Sequence, residues 1–163
     1  MDELDKALAI SLQGPEATKA VEAFRRQIQA WEVALPPTGL LVLDFGLDDF
    51  ASVGLIECWI CNEMAAGYCG KYLFVFDGQT CPNHRHREKH ETFFIVKGRV
   101  RMTYDGKIKE MLEGDVLPVQ QWKYHSFTGI GPALLLEVSR PCVVDDNYFK
   151  DTRIPIGGNY KKE

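Results

Sequence analysis

Three of the chain's four histidines, His84, His86 and His90, fall within one stretch, GQTCPNHRHREKHETFFIVKG at residues 78–98. The fourth, His125, lies in a separate short segment. His84 and His86 are two residues apart, and on a β-strand, where side chains alternate faces, both imidazoles point the same way. Glu91 follows the charged run Arg87-Glu88-Lys89 and opens an apolar run, Thr92-Phe93-Phe94-Ile95-Val96. A strand, a charged turn and a return strand would set Glu91 beside the two rings. Imidazole nitrogens with one carboxylate oxygen make a mixed donor set suited to Mn, Fe, Co, Ni or Zn. No cysteine pair at zinc-finger spacing stands beside it, which disfavours a closed structural zinc site.

Gly78, His84, His86, Glu91 and Gly98 occupy every fixed position of the first cupin motif, which this stretch resembles. Gly114, with His125 eleven residues on, is similar to the start and the histidine of the second. Inside that second segment the positions for Pro, Gly and Asn carry Gln120, Trp122 and Gly129, so the loop before His125 is expected to have its own shape. The resemblance implies an all-β cupin jelly roll and a metal held by His84, His86, Glu91 and His125.

The elements that must position these residues are legible in outline. At 163 residues the chain is long enough to bury a core as one domain. A net charge of −4 argues against nucleic acid or an anionic membrane as partner. No apolar run reaches bilayer length, and the acidic start MDELDKALAI is unlike a secretory signal, so a cytoplasmic location is expected. The five cysteines (58, 61, 69, 81 and 142) follow no disulfide framework and read as thiols. Cys58 and Cys61 sit three apart in an apolar run, as packing thiols rather than a redox pair.

Residues 1–36 read as an N-terminal helical extension. Pro15 suits a first helical position, and Val21, Phe24, Ile28 and Trp31 recur at helical steps, predicting a helix over 15–33 that packs on the barrel or on a second subunit. Leu4 to Leu12 reads as a shorter helix or an arm. Residues 37–163 read as the barrel. Apolar runs begin at Leu40, Leu55, Tyr72, Thr92, Val100, Ile108, Val116, Ser126 and Ala133, with Asp105-Gly106 as a hairpin turn. Pro141 to Glu163, with Tyr148, Phe149, Ile154 and Ile156, is expected to be ordered over the barrel mouth. Homodimerisation is the further expectation for a cupin of this size.

Several groups can act beside a metal. Lys89 lies in the turn between ligands, where a nearby cation would ease loss of its proton. Glu137 interrupts the run Leu134-Leu135-Leu136-Glu137-Val138, and a carboxylate in a core strand must be paired, metal-bound or functional. Cys142 follows the last long strand.

Between Asp44 and Arg153 the chain resembles the cupin-type D-lyxose isomerases. The densest stretches are Tyr68-Cys69-Gly70-Lys71, Gly78 to His86, Lys89-His90-Glu91-Thr92-Phe93 and Asp151-Thr152-Arg153-Ile154. The resemblance implies a divalent metal, most often Mn²⁺, an open-chain sugar substrate and aldose–ketose isomerisation through an enediolate. It assigns Lys89 and Glu137 to proton transfer. Lys71, Asp151 and Arg153 are assigned to substrate, with Asp151 holding Arg153 against sugar hydroxyls or a phosphate. The chain departs from these isomerases around Arg140-Pro141-Cys142. This suggests an alternative, similar to cupins that act on 1-methylthio-xylulose 5-phosphate, in which Cys142 or Cys81 attacks the thioether sulfur. A sugar-binding cupin without turnover and an iron dioxygenase are the remaining readings.

Overall fold

The structure, a computed structural model, describes residues 1–159. Two helices come first, α1 (Glu3–Ala9) and α2 (Pro15–Ala30). The strands are β1 (Leu40–Leu43), β2 (Leu55–Glu63), β3 (Tyr68–Val75), β4 (Thr80–Arg85), β5 (Glu91–Lys97), β6 (Val100–Tyr104), β7 (Lys107–Met111), β8 (Val116–Val119), β9 (His125–Gly129), β10 (Ala133–Ser139) and β11 (Tyr148–Phe149). They form a six-stranded sheet, β1-β2-β3-β10-β5-β8, and a five-stranded sheet, β11-β4-β9-β6-β7. Every ladder between named strands is antiparallel. The inner faces enclose one apolar core that includes Leu73, Phe93, Ile95, Met102, Phe127 and Leu135. This is the jelly roll that the motifs imply.

Local chemistry explains the joints. Asp105 and Gly106 have φ of 49° and 78°, as a two-residue hairpin turn requires, and join β6 to β7. Gly98 turns β5 into β6 at φ 73°, and a Cβ there would collide with the Pro132 carbonyl oxygen.

The apolar stripe of α2 lies on the outside of its own barrel. Phe24 and Ile28 pack against Val42, Ile56, Phe74 and Leu134, and the Phe24 ring meets Phe74 edge-on at 5.0 Å. The helix stops at Ala30 rather than residue 33, because Glu32 turns to φ 55°. Two strands escape the apolar pattern. β4, TCPNHR, is polar and is drawn into the sheet by pairing with β9; β11 is two residues long and pairs with β4. In the C-terminal segment Phe149 and Ile154 are in the core, while residues 160–163 lie outside the described residues. No helix among the described residues is long and apolar enough to cross a membrane.

Candidate metal centre

The four expected ligands converge. His84 is on β4, His86 follows its last residue, Glu91 begins β5 and His125 begins β9. His84 and His125 are cross-strand partners with rings 4.3 Å apart. One donor atom from each of the four lies within 4.8 Å of the others, and all four residues are buried. The strand that was to carry both neighbouring histidines ends between them, at Arg85. The His86 ring still lies 4.9 Å from that of His84.

Each ring is oriented by a backbone carbonyl. His84 Nδ1 meets Pro82 O at 2.8 Å, His86 Nδ1 meets Asp146 O at 3.0 Å and His125 Nδ1 meets Lys123 O at 3.0 Å. A carbonyl only accepts, so each Nδ1 carries a proton, and Nε2 is the atom left to present a lone pair to a metal. His86 Nε2 and His125 Nε2 stand 3.2 and 2.7 Å from Glu91 Oε1. Read as ion pairs these would be attractive; with a ring proton on Nδ1 alone, acceptor faces acceptor. None of these three buried atoms has a hydrogen bond. A cation between them satisfies all of them, so the donor set fits a divalent metal. Burial, reinforced by the other two histidines, holds His84 well below its ordinary pKa, and burial followed by Lys89 lowers His86. Burial alone would raise Glu91; Lys89 and then His86 and His125 outweigh it and hold the carboxyl well below the usual range. Neutral rings and an ionised carboxylate are the protonation states that bind metal.

Asp146 builds the turn between these ligands. Its carboxylate accepts from the backbone N–H groups of Arg87, Glu88 and Lys89, while its carbonyl orients His86. Sequence reasoning had no signal for it beyond an acidic residue in a polar segment. The loop before His125 does have its own shape: Trp122 sits at φ 62° and donates its N–H to His86 O.

From Glu91 a line of alternating charges crosses the inner face of the six-stranded sheet. Lys89 Nζ lies 2.7 Å from Glu91 Oε2 and 2.8 Å from Glu137 Oε1. Lys71 Nζ lies 3.7 Å from Glu137 Oε2 and 3.2 Å from Glu57 Oε1. Lys71 and Glu137 are direct cross-strand partners on β3 and β10. Glu57, Lys71, Lys89 and Glu137 line a cavity of about 40 Å³ with His84, Asn147 and Phe149.

A D-lyxose isomerase family model matches residues 15–102, and a cupin domain model matches residues 74–139. The chain belongs to the D-lyxose isomerase family. It is 40% identical over 101 residues to a D-lyxose/D-mannose isomerase of Thermosediminibacter oceani, covering 56% of this chain and 52% of that protein. It is 30% identical over 125 residues to a D-lyxose ketol-isomerase of Cohnella laeviribosi, covering 71% and 68%. The match thus spans about half of the first relative and two thirds of the second. An L-ribose isomerase of Cellulomonas parahominis, solved with L-ribose, shares the fold at a TM-score of 0.73 and 15% identity, covering 89% of this chain and 95% of that one.

The other residues assigned through the D-lyxose isomerase resemblance divide into two groups. Lys71, Lys89 and Glu137 line the cavity; Asp151 and Arg153 do not. Arg153 forks onto Asp151 with Nη2–Oδ2 at 2.7 Å, but on the surface, with 78% of its side chain exposed. Burial lowers the Lys89 pKa, but Glu137 and Glu91 more than reverse this, and it stands above the ordinary lysine value as an ammonium. Cys142 Sγ approaches Lys71 Nζ at 3.7 Å, yet burial pushes its thiol pKa up, and burial pushes Cys81 well up. All five cysteines are free. His90 uses its carbonyl to accept from Arg140 N–H.

Sequence reasoning passed over Glu57, although the signal matched that of Glu137. It too is a carboxylate inside an apolar run, Leu55-Ile56-Glu57-Cys58-Trp59.

Proposed function

We propose that this protein is a metal-dependent aldose–ketose isomerase acting on a small sugar of the D-lyxose or D-mannose type. One observation carries the reading: a buried carboxylate, Glu137, stands one lysine away from a ligand of the candidate metal site. The metal, manganese in this reading, is held by His84, His86, Glu91 and His125, and when bound supplies Lewis-acid polarisation of a carbonyl. Glu137 is the base. Its Oε1 is engaged by Lys89 and by Ser139 Oγ at 3.0 Å, which leaves Oε2 to take the proton from the carbon beside the carbonyl and return it to the neighbouring carbon. Lys89, held between Glu137 and Glu91, orients the base and supplies a donor to the substrate oxygen whose charge changes. Lys71 is placed to meet a sugar hydroxyl. Asp151 and Arg153 are surface residues in this reading.

Proton NMR in D₂O tests it, with the protein loaded with a diamagnetic divalent metal and given D-lyxose, D-mannose and a methylthio-ketose phosphate in parallel. Deuterium should enter the aldoses next to the carbonyl as ketose forms. Glu137→Gln should slow that exchange by roughly 10²- to 10⁴-fold with metal content unchanged. Undiminished exchange in the variant removes Glu137 as the base. Loss of the S-methyl signal with the sugars untouched would move the assignment to Cys142. An absence of change with any substrate or metal would favour a binding role.

The partner in solution is a second copy of the chain. With α2 spent on its own barrel, the rest of the outer face of the six-stranded sheet is uncovered. Two cross-strand rows lie there, Leu136-Phe94-Val116 and Val138-Thr92-Pro118. None of these residues carries a charge, and Val138 and Val116 are 51% and 52% exposed. The outer face of the other sheet, by contrast, presents Arg101, Thr103, Thr128 and Ser126 to water. Three strands and two rows give roughly 200 Å² of flat surface, enough for the centre of an interface of about 800 Å² per partner. Light scattering should give a dimer mass, and Phe94→Lys with Val138→Lys should give the monomer; a wild-type monomer at micromolar concentration overturns the assignment. The free cysteines support a reducing, cytoplasmic location.

A further inference from the structure

Glu57 is a buried carboxylate that neither the donor set nor the proton transfer employs. Its side chain is held from two sides. Trp59 Nε1 donates to Oε2 at 2.7 Å, and Lys71 Nζ donates to Oε1 and Oε2 at 3.2 and 3.3 Å. The clamp is built into the sheet, because Trp59 is the direct cross-strand partner of Lys71 on β3, and Lys71 is in turn the partner of Glu137 on β10. Glu57 therefore reaches Glu137 only through one ammonium group.

That ammonium has two carboxylates to choose from. It lies nearer Glu57 than Glu137, at 3.2 Å against 3.7 Å. Cys142 Sγ, also 3.7 Å away, belongs to a buried thiol and offers no full charge in return. Without Glu57, Lys71 would have Glu137 as its one carboxylate partner among the described residues, and the free oxygen there is Oε2. An ammonium seated on that oxygen occupies the proton-accepting lone pair and opposes arrival of a proton.

We propose that Glu57 is a positioning residue for the reaction: clamped by Trp59, it draws Lys71 away from Oε2 of Glu137 and keeps that oxygen open to the substrate. The inference rests on the reading of Glu137 as the base. The groups around Glu137 are Lys71 and Cys69 from β3, Glu57 from β2, Lys89 and Glu91 from the turn and start of β5, Cys81 from β4, and Ser139 and Cys142 beyond it on its own segment. Of these, Lys71 is the cation whose position Glu57 controls.

The test is the pH profile of kcat/KM with D-lyxose for the metal-loaded protein. Glu57→Gln should lower the plateau by about tenfold and move the acid limb to lower pH by about one unit. Glu57→Asp should restore part of both. Trp59→Phe, which keeps all charges, removes the Nε1–H that clamps Glu57 and shrinks the ring lying 5.6 Å from Lys71 Nζ, should move both in the same direction by less, and provides the readout if Glu57→Gln folds poorly. In a Lys71→Met background, Glu57→Gln should no longer move the limb. A limb that moves equally in that background, or one that stays put in both Glu57→Gln and Trp59→Phe, overturns the inference. Glu137→Gln separates the two layers. If it still exchanges the substrate proton, the base assignment falls and this inference with it. If it is dead while the Glu57 and Trp59 profiles are those of the wild type, the inference alone falls.

Discussion

Two ion pairs in this molecule have the same length and opposite surroundings. Lys89 Nζ–Glu91 Oε2 and Arg153 Nη2–Asp151 Oδ2 both measure 2.7 Å. The first pair is 5% and 1% exposed; the second is 78% and 31% exposed. Water screens the second, leaving a local contact that reports little about the fold. Low dielectric makes the first part of a continuous array in which every charge depends on the next. Distance does not separate the two pairs; burial does. It also explains why the two lysines of the array, Lys71 and Lys89, are ammonium groups although burial opposes their charge. For Lys71 the outweighing neighbours are Cys142, Glu137 and Glu57, and with Cys142 a thiol the two carboxylates carry the effect.

Breaking the buried pair should have the largest effect. Lys89→Met leaves Glu91 and Glu137 without their shared cation and should cost about 3–5 kcal/mol in urea unfolding. A loss under about 1 kcal/mol would mean that the array is more hydrated than its burial implies. Metal should act on the same end of the array. Manganese at a hundredfold excess over its Kd should add about 2.7 kcal/mol, which a chelator removes. His125→Ala should abolish that increment.

Asp146 sharpens the comparison because it is buried but pairs with backbone rather than with a cation. Asp146→Ala strands the N–H groups of Arg87, Glu88 and Lys89 and should cost about 1–3 kcal/mol, with metal affinity falling about 10- to 100-fold as the turn loosens. Proton linkage adds a signed test. The folded-state pKa values of His84 and His86 are depressed, so below about pH 6.5 the unfolded chain binds protons that the native one refuses. Stability should fall with pH from that point, earlier than in a protein whose histidines are exposed.

The exposed pair should matter least. Asp151→Asn and Arg153→Met should leave the melting temperature and kcat/KM unchanged within error. The Asp151 carboxyl, held down by hydrogen bonds from Arg153, should titrate at about 2 by NMR. Its depressed folded-state pKa means that any contribution to stability is present above the ordinary carboxylate range and lost as pH falls toward that value, and molar salt should move the midpoint upward. Loss of activity in Arg153→Met would return that residue to the substrate site.

What the sequence determined by itself was local or periodic. The spacing His84-x-His86 and the following Glu91 specify donors two apart and a turn away, and any strand–turn–strand geometry brings them together. The α2 stripe and the Asp105-Gly106 turn are likewise set by short-range backbone preferences. Glu137 was legible because a carboxylate in an apolar run must find a partner, and Glu57 was legible on the same ground and missed. The tertiary structure decided the rest, because it depends on which strands become neighbours. Only the order β2-β3-β10-β5 lines up Glu57, Lys71, Glu137 and Glu91, residues from four separate segments, into one array. Only the path of the C-terminal segment brings Asp146 beneath the ligand turn and leaves Asp151 and Arg153 outside. The free energy of a charged group is set by how much water surrounds it and which charge replaces that water, and no spacing in the chain encodes either.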